Sequence, residues 1–208
     1  MIPSYLTSPY SYLDAKPRVG KWGRSMNDFI GTDTSVQYIR NLVDVFSKNY
    51  IVTDAILPDD FHVSIIIEQY KKGSEQRCDR IYTPINAPSK ISKMCHQNWI
   101  CLDFLQKKLF RFEPNYEMEE FNIDNLCKKI ASITNVTYNG PEKNGIDINP
   151  FNGCRLMSTI LASLHIMDVD VYLQELDLLK FAYIAQQEII SFTPVITTSK
   201  RITRSKVA

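Results

Sequence analysis

The sequence predicts an α+β fold from three observations. Strand-like runs cluster in the middle of the 208-residue chain, apolar residues at helical spacing lie at both ends, and no internal repeat is visible. One domain accounts for this length. A chain of this size buries about 70% of its unfolded surface, so it needs neither disulfides nor metal to hold a core. The organisation reads as an N-terminal arm over 1–30, a folded domain over 31–192 and a basic tail over 193–208.

Residues 1–30 are rich in Tyr, Ser, Pro and Gly without a clear period, which suits an extended or irregularly packed arm. Asp33 opens the first helix, with Leu42, Val43 and Phe46 on one face. Tyr50-Ile-Val-Thr and Phe61-His-Val-Ser-Ile-Ile-Ile are expected strands, the second buried on both faces, with a turn at 58–60 between them. A polar loop covers 71–77, a short strand 80–83, and a second loop with two prolines 84–93. The runs 99–104 and 109–113 pair as a hairpin around a turn at 106–108. Ile100, Leu102 and Phe104 are expected on one face with Phe110 and Phe112 across from them. Trp99, Cys101, Asp103, Arg111 and Glu113 take the other face. Residues 118–132 read as an amphipathic helix anchored by Phe121, Leu126 and Ile130, and 134–138 as a short strand. A polar loop, 139–149, leads to two apolar helices, 155–167 and 169–190.

Composition narrows the function classes. The apolar content of 44% is ordinary for a globular protein. No apolar run reaches the ~18 residues of a membrane span, and the first residues lack a signal-peptide pattern; a soluble, intracellular protein without membrane partners is expected. Five cysteines, an odd number without a Cys-x-x-Cys pair, do not make a disulfide framework, and the three histidines lie far apart. No structural zinc and no cofactor are expected. The last nine residues carry Lys200, Arg201, Arg204 and Lys206 and no acid, which leaves 20 basic against 23 acidic groups in the rest. The tail reads either as a solvated end or as a weak electrostatic contact with nucleic acid or an acidic protein surface.

Three residues carry the chemistry. His96 stands at the head of the first hairpin strand, Glu113 follows at the end of the second, and Cys154 opens an apolar helical run just after Asn152-Gly153. An imidazole, a carboxylate and a thiol are the parts of a cysteine-nucleophile site. A thiol at a helix N-terminus meets the positive end of the helix dipole and unpaired N–H groups, and a nearby imidazolium favours its thiolate further. A histidine beside it moves the proton, and a carboxylate behind the histidine sets its tautomer. By residue type alone, a cysteine at a helix start is more often a small buried hydrophobe. His62 also opens a strand-like run, but no carboxylate follows it in a similar setting. Cys101, inside a strand, and Cys127, inside a helix, read as packing residues.

The string His96-Gln-Asn-Trp-Ile-Cys-Leu-Asp103, followed by Leu109-Phe-Arg-Phe-Glu-Pro114, resembles the His-to-Glu segment of the adenovirus-protease-like cysteine peptidases. That group includes the SUMO-specific proteases and relatives in large DNA viruses. The seventeen-residue step, the Arg-Phe-Glu-Pro string at 111–114 and the order His, Glu, Cys agree with it. The resemblance spans about residues 94–167. It implies an adenain-like fold: a mixed central sheet packed by helices, with the nucleophile at the N-terminus of a buried helix. It implies His96 as general base, Glu113 as its orienting partner and Cys154 as nucleophile. The implied activity is peptide or isopeptide hydrolysis through a thioester acyl-enzyme, in maturation of viral structural proteins cleaved near small residues. The implied location is the host cytoplasm or nucleus, a virus factory or the virion. Some positions depart from the family. A glutamine that helps form the oxyanion hole usually stands six or seven residues before the cysteine; here those positions hold Ile148 and Asp147. Asn149 or Asn152 offers an amide donor, whereas an ionised aspartate cannot donate. Arg155 stands where many members have glycine, and Trp99 lies three positions beyond the histidine where a tryptophan commonly follows directly. A missing oxyanion donor costs about 3–4 kcal/mol of transition-state stabilisation. These departures support the alternative of an inactive, protease-like structural or scaffolding component of a virion.

Overall fold

β-Branched and aromatic residues concentrate in four segments that pair into one mixed sheet. A computed structural model describes residues 2–7, 30–88, 95–114, 122–141, 153–169 and 178–192, the side chains of 178–180 excepted. The strands are β1 (Tyr50–Val52), β2 (Arg80–Pro88), β3 (Cys95–Asp103) and β4 (Lys108–Phe112), in the order β1-β2-β3-β4. β1 runs parallel to β2, and the other two pairings are antiparallel. Around them lie α1 (Ser4–Thr7), α2 (Thr32–Val45), α3 (Asp60–Glu75), α4 (Ile123–Thr134), α5 (Cys154–Ile166) and α6 (Leu178–Phe192). The α+β class of the sequence is the class of the structure, with a cysteine as the first residue of a helix buried at nearly every position.

Each face of the sheet has its own core. Tyr82, Trp99, Cys101, Phe110 and Phe112 join Leu156, Met157 and Ile160 of α5, Tyr38 and Leu42 of α2, and Phe181 and Ile189 of α6. Ile81, Ile85, Ile100, Leu102 and Leu109 join Val63 and Ile66 of α3 and Leu126 and Ile130 of α4. Tyr5 and Leu6, from the first residues of the chain, are buried in the first of these cores. A helix buried on nearly every side, as α5 is, is stable where neighbours enclose it: β3, β4, α2 and α6 do so here.

Four expectations are corrected. The run at 61–67 is helical, and the helix runs on to Glu75 through most of the loop expected over 71–77: Asp59 caps α3 by accepting from the His62 N–H at 2.9 Å, and Val63 and Ile66, three apart, are its buried apolar side chains. A short apolar run has no period of its own to separate strand from buried helix, so tertiary packing decided. The loop expected from Pro84 is the second half of β2. Proline is tolerated there because its missing N–H points toward β1, which has already ended; Thr53 N donates to Tyr82 O, Ile56 N to Pro84 O and Asn86 N to Ile56 O along that edge. The strand expected over 134–138 is a single bridge, Lys108 to Thr137.

The fourth correction is the hairpin register. Trp99 pairs with Phe112, Ile100 with Arg111, Cys101 with Phe110 and Leu102 with Leu109. Phe110 and Phe112 therefore share a face with Trp99 and Cys101, not with Ile100 and Leu102. The turn occupies 104–107, with Lys107 at φ 49°, so Phe104 lies outside the strand. A one-residue change in register moves every side chain to the other face. Here it puts Arg111 and Glu113 on the side of His96 and Asn98. Among elements near their expected places, α4 begins at Ile123, with Leu126 and Ile130 buried; Phe121 lies outside the described residues.

Candidate functional site

His96, Glu113 and Cys154 lie together at the end of the sheet where β3 begins. All three are buried, at 3%, 6% and 5% exposure. The corrected register makes the first contact: both carboxylate oxygens of Glu113 lie 3.0 Å from His96 Nε2. The Asn98 amide nitrogen is also 2.8 Å from that ring nitrogen. A bare Nε2 would set its lone pair against a carboxylate, so the proton belongs on Nε2, donated to Glu113. His96 also hydrogen-bonds with Cys154.

The thiol's surroundings follow from the start of α5. Its cap residue is Gly153, which has no side chain to fold over the first turn, and no acidic residue stands in that turn. The first N–H groups and the positive end of the helix dipole therefore meet Cys154. Burial alone would push the His96 imidazole down; hydrogen bonds to Cys154 and Glu113, and the negative charge of both, outweigh it and raise it to about 9. A charged imidazolium across neutral pH is the partner that favours a thiolate.

Two residues that the sequence reading did not single out complete the arrangement. Arg111 is 4% exposed. Its Nη2 donates to Glu113 Oε2 at 2.6 Å and its Nε to Asn98 Oδ1 at 2.7 Å. The guanidinium fixes the carboxylate that fixes the imidazole, and compensates a buried charge that would otherwise be costly. Asn98 follows His96 by two, and Arg111 precedes Glu113 by two; period-two alternation in the correct register is the signal that finds them.

The remaining candidates fall elsewhere. Asn149 and Asn152, like Asp147 and Ile148, lie outside the described residues. Arg155 turns to β3 and the segment before α2, donating from Nε to Gln97 Oε1 at 2.9 Å and from Nη1 to Ile30 O at 2.8 Å. Trp99 is fully buried in the core, its Nε1 donating to Thr159 Oγ1 at 3.2 Å. His62 pairs with its own helix cap, Nδ1 to Asp59 Oδ1 at 2.6 Å. It lines a cavity of about 380 Å³ between β1, the loop after it and α3, which none of the three residues above borders. Cys101 and Cys127 are fully buried, and burial pushes the Cys101 thiol far up and the Cys127 thiol to about 12. They pack.

No family model matches the chain, and no curated protein matches it. Solved structures do. One is the SUMO protease Ulp1 with its catalytic cysteine oxidized to a sulfonic acid, 13% identical, covering 78% of each chain, with a TM-score of 0.46. Another is Ulp1 with that cysteine oxidized to a sulfinic acid, 12% identical over 92% of this chain and 94% of the other, at 0.46. A third is the C-terminal Ulp1 protease domain in complex with Smt3, the yeast ortholog of SUMO, 15% identical over 79% and 77%, at 0.43.

Proposed function

We propose that this protein is a cysteine peptidase that hydrolyses peptide or isopeptide bonds through a thioester acyl-enzyme. Cys154 is the nucleophile, His96 the general base and acid, and Glu113 the group that orients it. The reading is carried by one observation: a single buried imidazole is bonded through Nε2 to a carboxylate and to a thiol at the N-terminus of a buried helix.

In the resting site the proton sits on the imidazole and the negative charge on sulfur. The thiolate attacks the scissile carbonyl, the imidazolium donates its Nδ1 proton to the leaving amine, and a thioester forms. Acylation removes the sulfur's charge and its hydrogen bond, two of the causes that hold the His96 imidazole up. Its pKa falls, and the neutral ring accepts a proton from the water that attacks the thioester. Glu113 keeps the other nitrogen protonated throughout. Backbone N–H groups at the start of α5 are the proposed oxyanion donors, with Asn149 and Asn152 as side-chain candidates. The proposed substrates are proteins with small residues near the cleaved bond, including viral structural proteins.

An electrophilic peptide acyl probe tests the assignment. In a Cys95→Ser background, which removes an exposed thiol, the probe labels the protein at neutral pH. It fails to label Cys154→Ala, and labels His96→Ala at least ~10²-fold more slowly. Equal labelling with and without Cys154 contradicts the assignment.

A further inference from the structure

Resting on the reading of His96 as general base and acid, and going beyond it, we propose that Asn98 is a positioning residue of the site: its amide, held by Arg111, presents an N–H to His96 Nε2 in opposition to Glu113, and so keeps the imidazolium acidic enough to give its proton away.

The geometry begins on β3 and β4. Asn98 follows His96 by two, on the same face of the strand, and is fully buried. Its amide has two ends, and Arg111 decides which is which. A guanidinium only donates, so the end 2.7 Å from Arg111 Nε is the oxygen. The other end, Nδ2, therefore lies 2.8 Å from His96 Nε2. The same ring nitrogen has both oxygens of Glu113 at 3.0 Å. One nitrogen cannot satisfy both neighbours. With its proton, it donates to Glu113 and meets the Asn98 amide donor to donor. Without its proton, it accepts from Asn98 and sets its lone pair against a carboxylate. Turning the amide over gives no relief, because two donors would then meet at Arg111. One guanidinium holds both competitors in place, through Nη2 to Glu113 at 2.6 Å and through Nε to Asn98.

The opposition has a direction. The charged ring carries a proton on each nitrogen, so it meets the positive end of the amide dipole with a full charge and no lone pair at Nε2. A neutral ring relieves that contact, in part while the proton stays on Nε2 and wholly when it leaves. Asn98 thus works against the charged form, while Glu113 and Cys154 work for it. Arg111, itself positive, sides with Asn98, but it is engaged by Glu113 and has Asp124 of α4 at 3.8 Å from Nη1. Arg155 of α5 turns to Gln97 and Ile30, and β2 sets Ala87 opposite His96. A general acid works best with its pKa close to the working pH. With a carboxylate and a thiolate both favouring its proton, the His96 imidazolium would hold that proton too tightly for transfer to a leaving amine, and Asn98 loosens it.

The test removes the amide without adding charge. Imidazole signals of full-length Asn98→Leu and Asn98→Ala are titrated by NMR beside wild type, with the His96 signal assigned by its loss in His96→Ala. In both variants the His96 transition should lie about half to one pH unit higher than in wild type. The alkaline limb of Cys154 labelling by the acyl probe should move up with it. An amide that merely packs gives the other sign: bonds to Glu113 and Cys154 slacken, and the transition falls toward the ordinary value. A transition that stays or falls overturns the proposal, and Asn98→Ala alone decides the matter should the larger leucine prevent folding. The transition is read without probe or substrate. A rise in it that leaves the labelling limb in place therefore supports the opposition at Nε2 and strikes the general-acid reading instead.

Discussion

His96 and His165 pack against the same sheet and are held in opposite ways. His96 faces a carboxylate and a thiol, and those partners raise its imidazole to about 9 against the opposing effect of burial. His165, near the end of α5, lies against the rings of Phe110 and Phe112, with centroids 4.6 and 5.1 Å away. Its Nδ1 accepts from the Tyr82 hydroxyl at 2.7 Å. Burial first, and then the positive charge of Arg80, push it down to about 4. One ring is held charged at neutral pH beside the proposed nucleophile, while the other is held neutral in the core. The difference teaches that partners, rather than depth, set the charge of a buried histidine.

The largest effect expected from this contrast is on activity. His96→Ala should reduce probe labelling of Cys154 at least ~10²-fold, as above, whereas His165→Leu should leave it within ~3-fold; comparable losses in both would erase the distinction. Next comes Glu113→Gln. The amide keeps the shape but removes the charge that holds the Nε2 proton, so labelling should fall between ~10² and ~10⁴-fold. A Glu113→Gln protein labelled at the wild-type rate would show that the carboxylate only packs.

A smaller effect separates the two rings by stability. His165 has a folded pKa below its unfolded value of ~6.5, so the unfolded chain binds the proton more readily. Its contribution is fully present above ~6.5 and is lost as pH falls toward about 4, by up to ~3 kcal/mol. His96 has the reverse sign: its contribution is present below ~6.5 and is lost as pH rises through about 9. Urea melts across this range should therefore show both limbs. His165→Leu should flatten the acid limb alone, after a uniform loss of about 0.5–1.5 kcal/mol from the hydrogen bond that Tyr82 no longer makes to the ring. An unchanged acid limb would place that titration elsewhere.

The amphipathic helices were readable where the period was strong. The stripe of Leu42 and Val43 in α2 and the apolar run of α5 announce themselves. The 61–67 run was not readable, because its β-branched residues fit a strand locally and its packing on α4 and β2 is a tertiary fact. Pro84 looked like a loop residue because the sequence does not reveal that β1 stops short of it. For the candidate site, residue types and chain order were legible, but the meeting of His96 with Glu113 was not. It depends on one residue of register, set by the turn at 104–107 and the left-handed conformation of Lys107. Asn98 and Arg111 stayed hidden for the same reason.

An NMR titration of the imidazole signals measures the central claim, that His96 and Cys154 form one chemical unit while His165 stands apart. In wild type, one ring should titrate near 9 and another near 4. In Cys154→Ala the His96 transition should fall, because a hydrogen-bond partner and its charge are gone, while the His165 transition stays in place. A His96 transition that does not move when the thiol is removed would contradict the account.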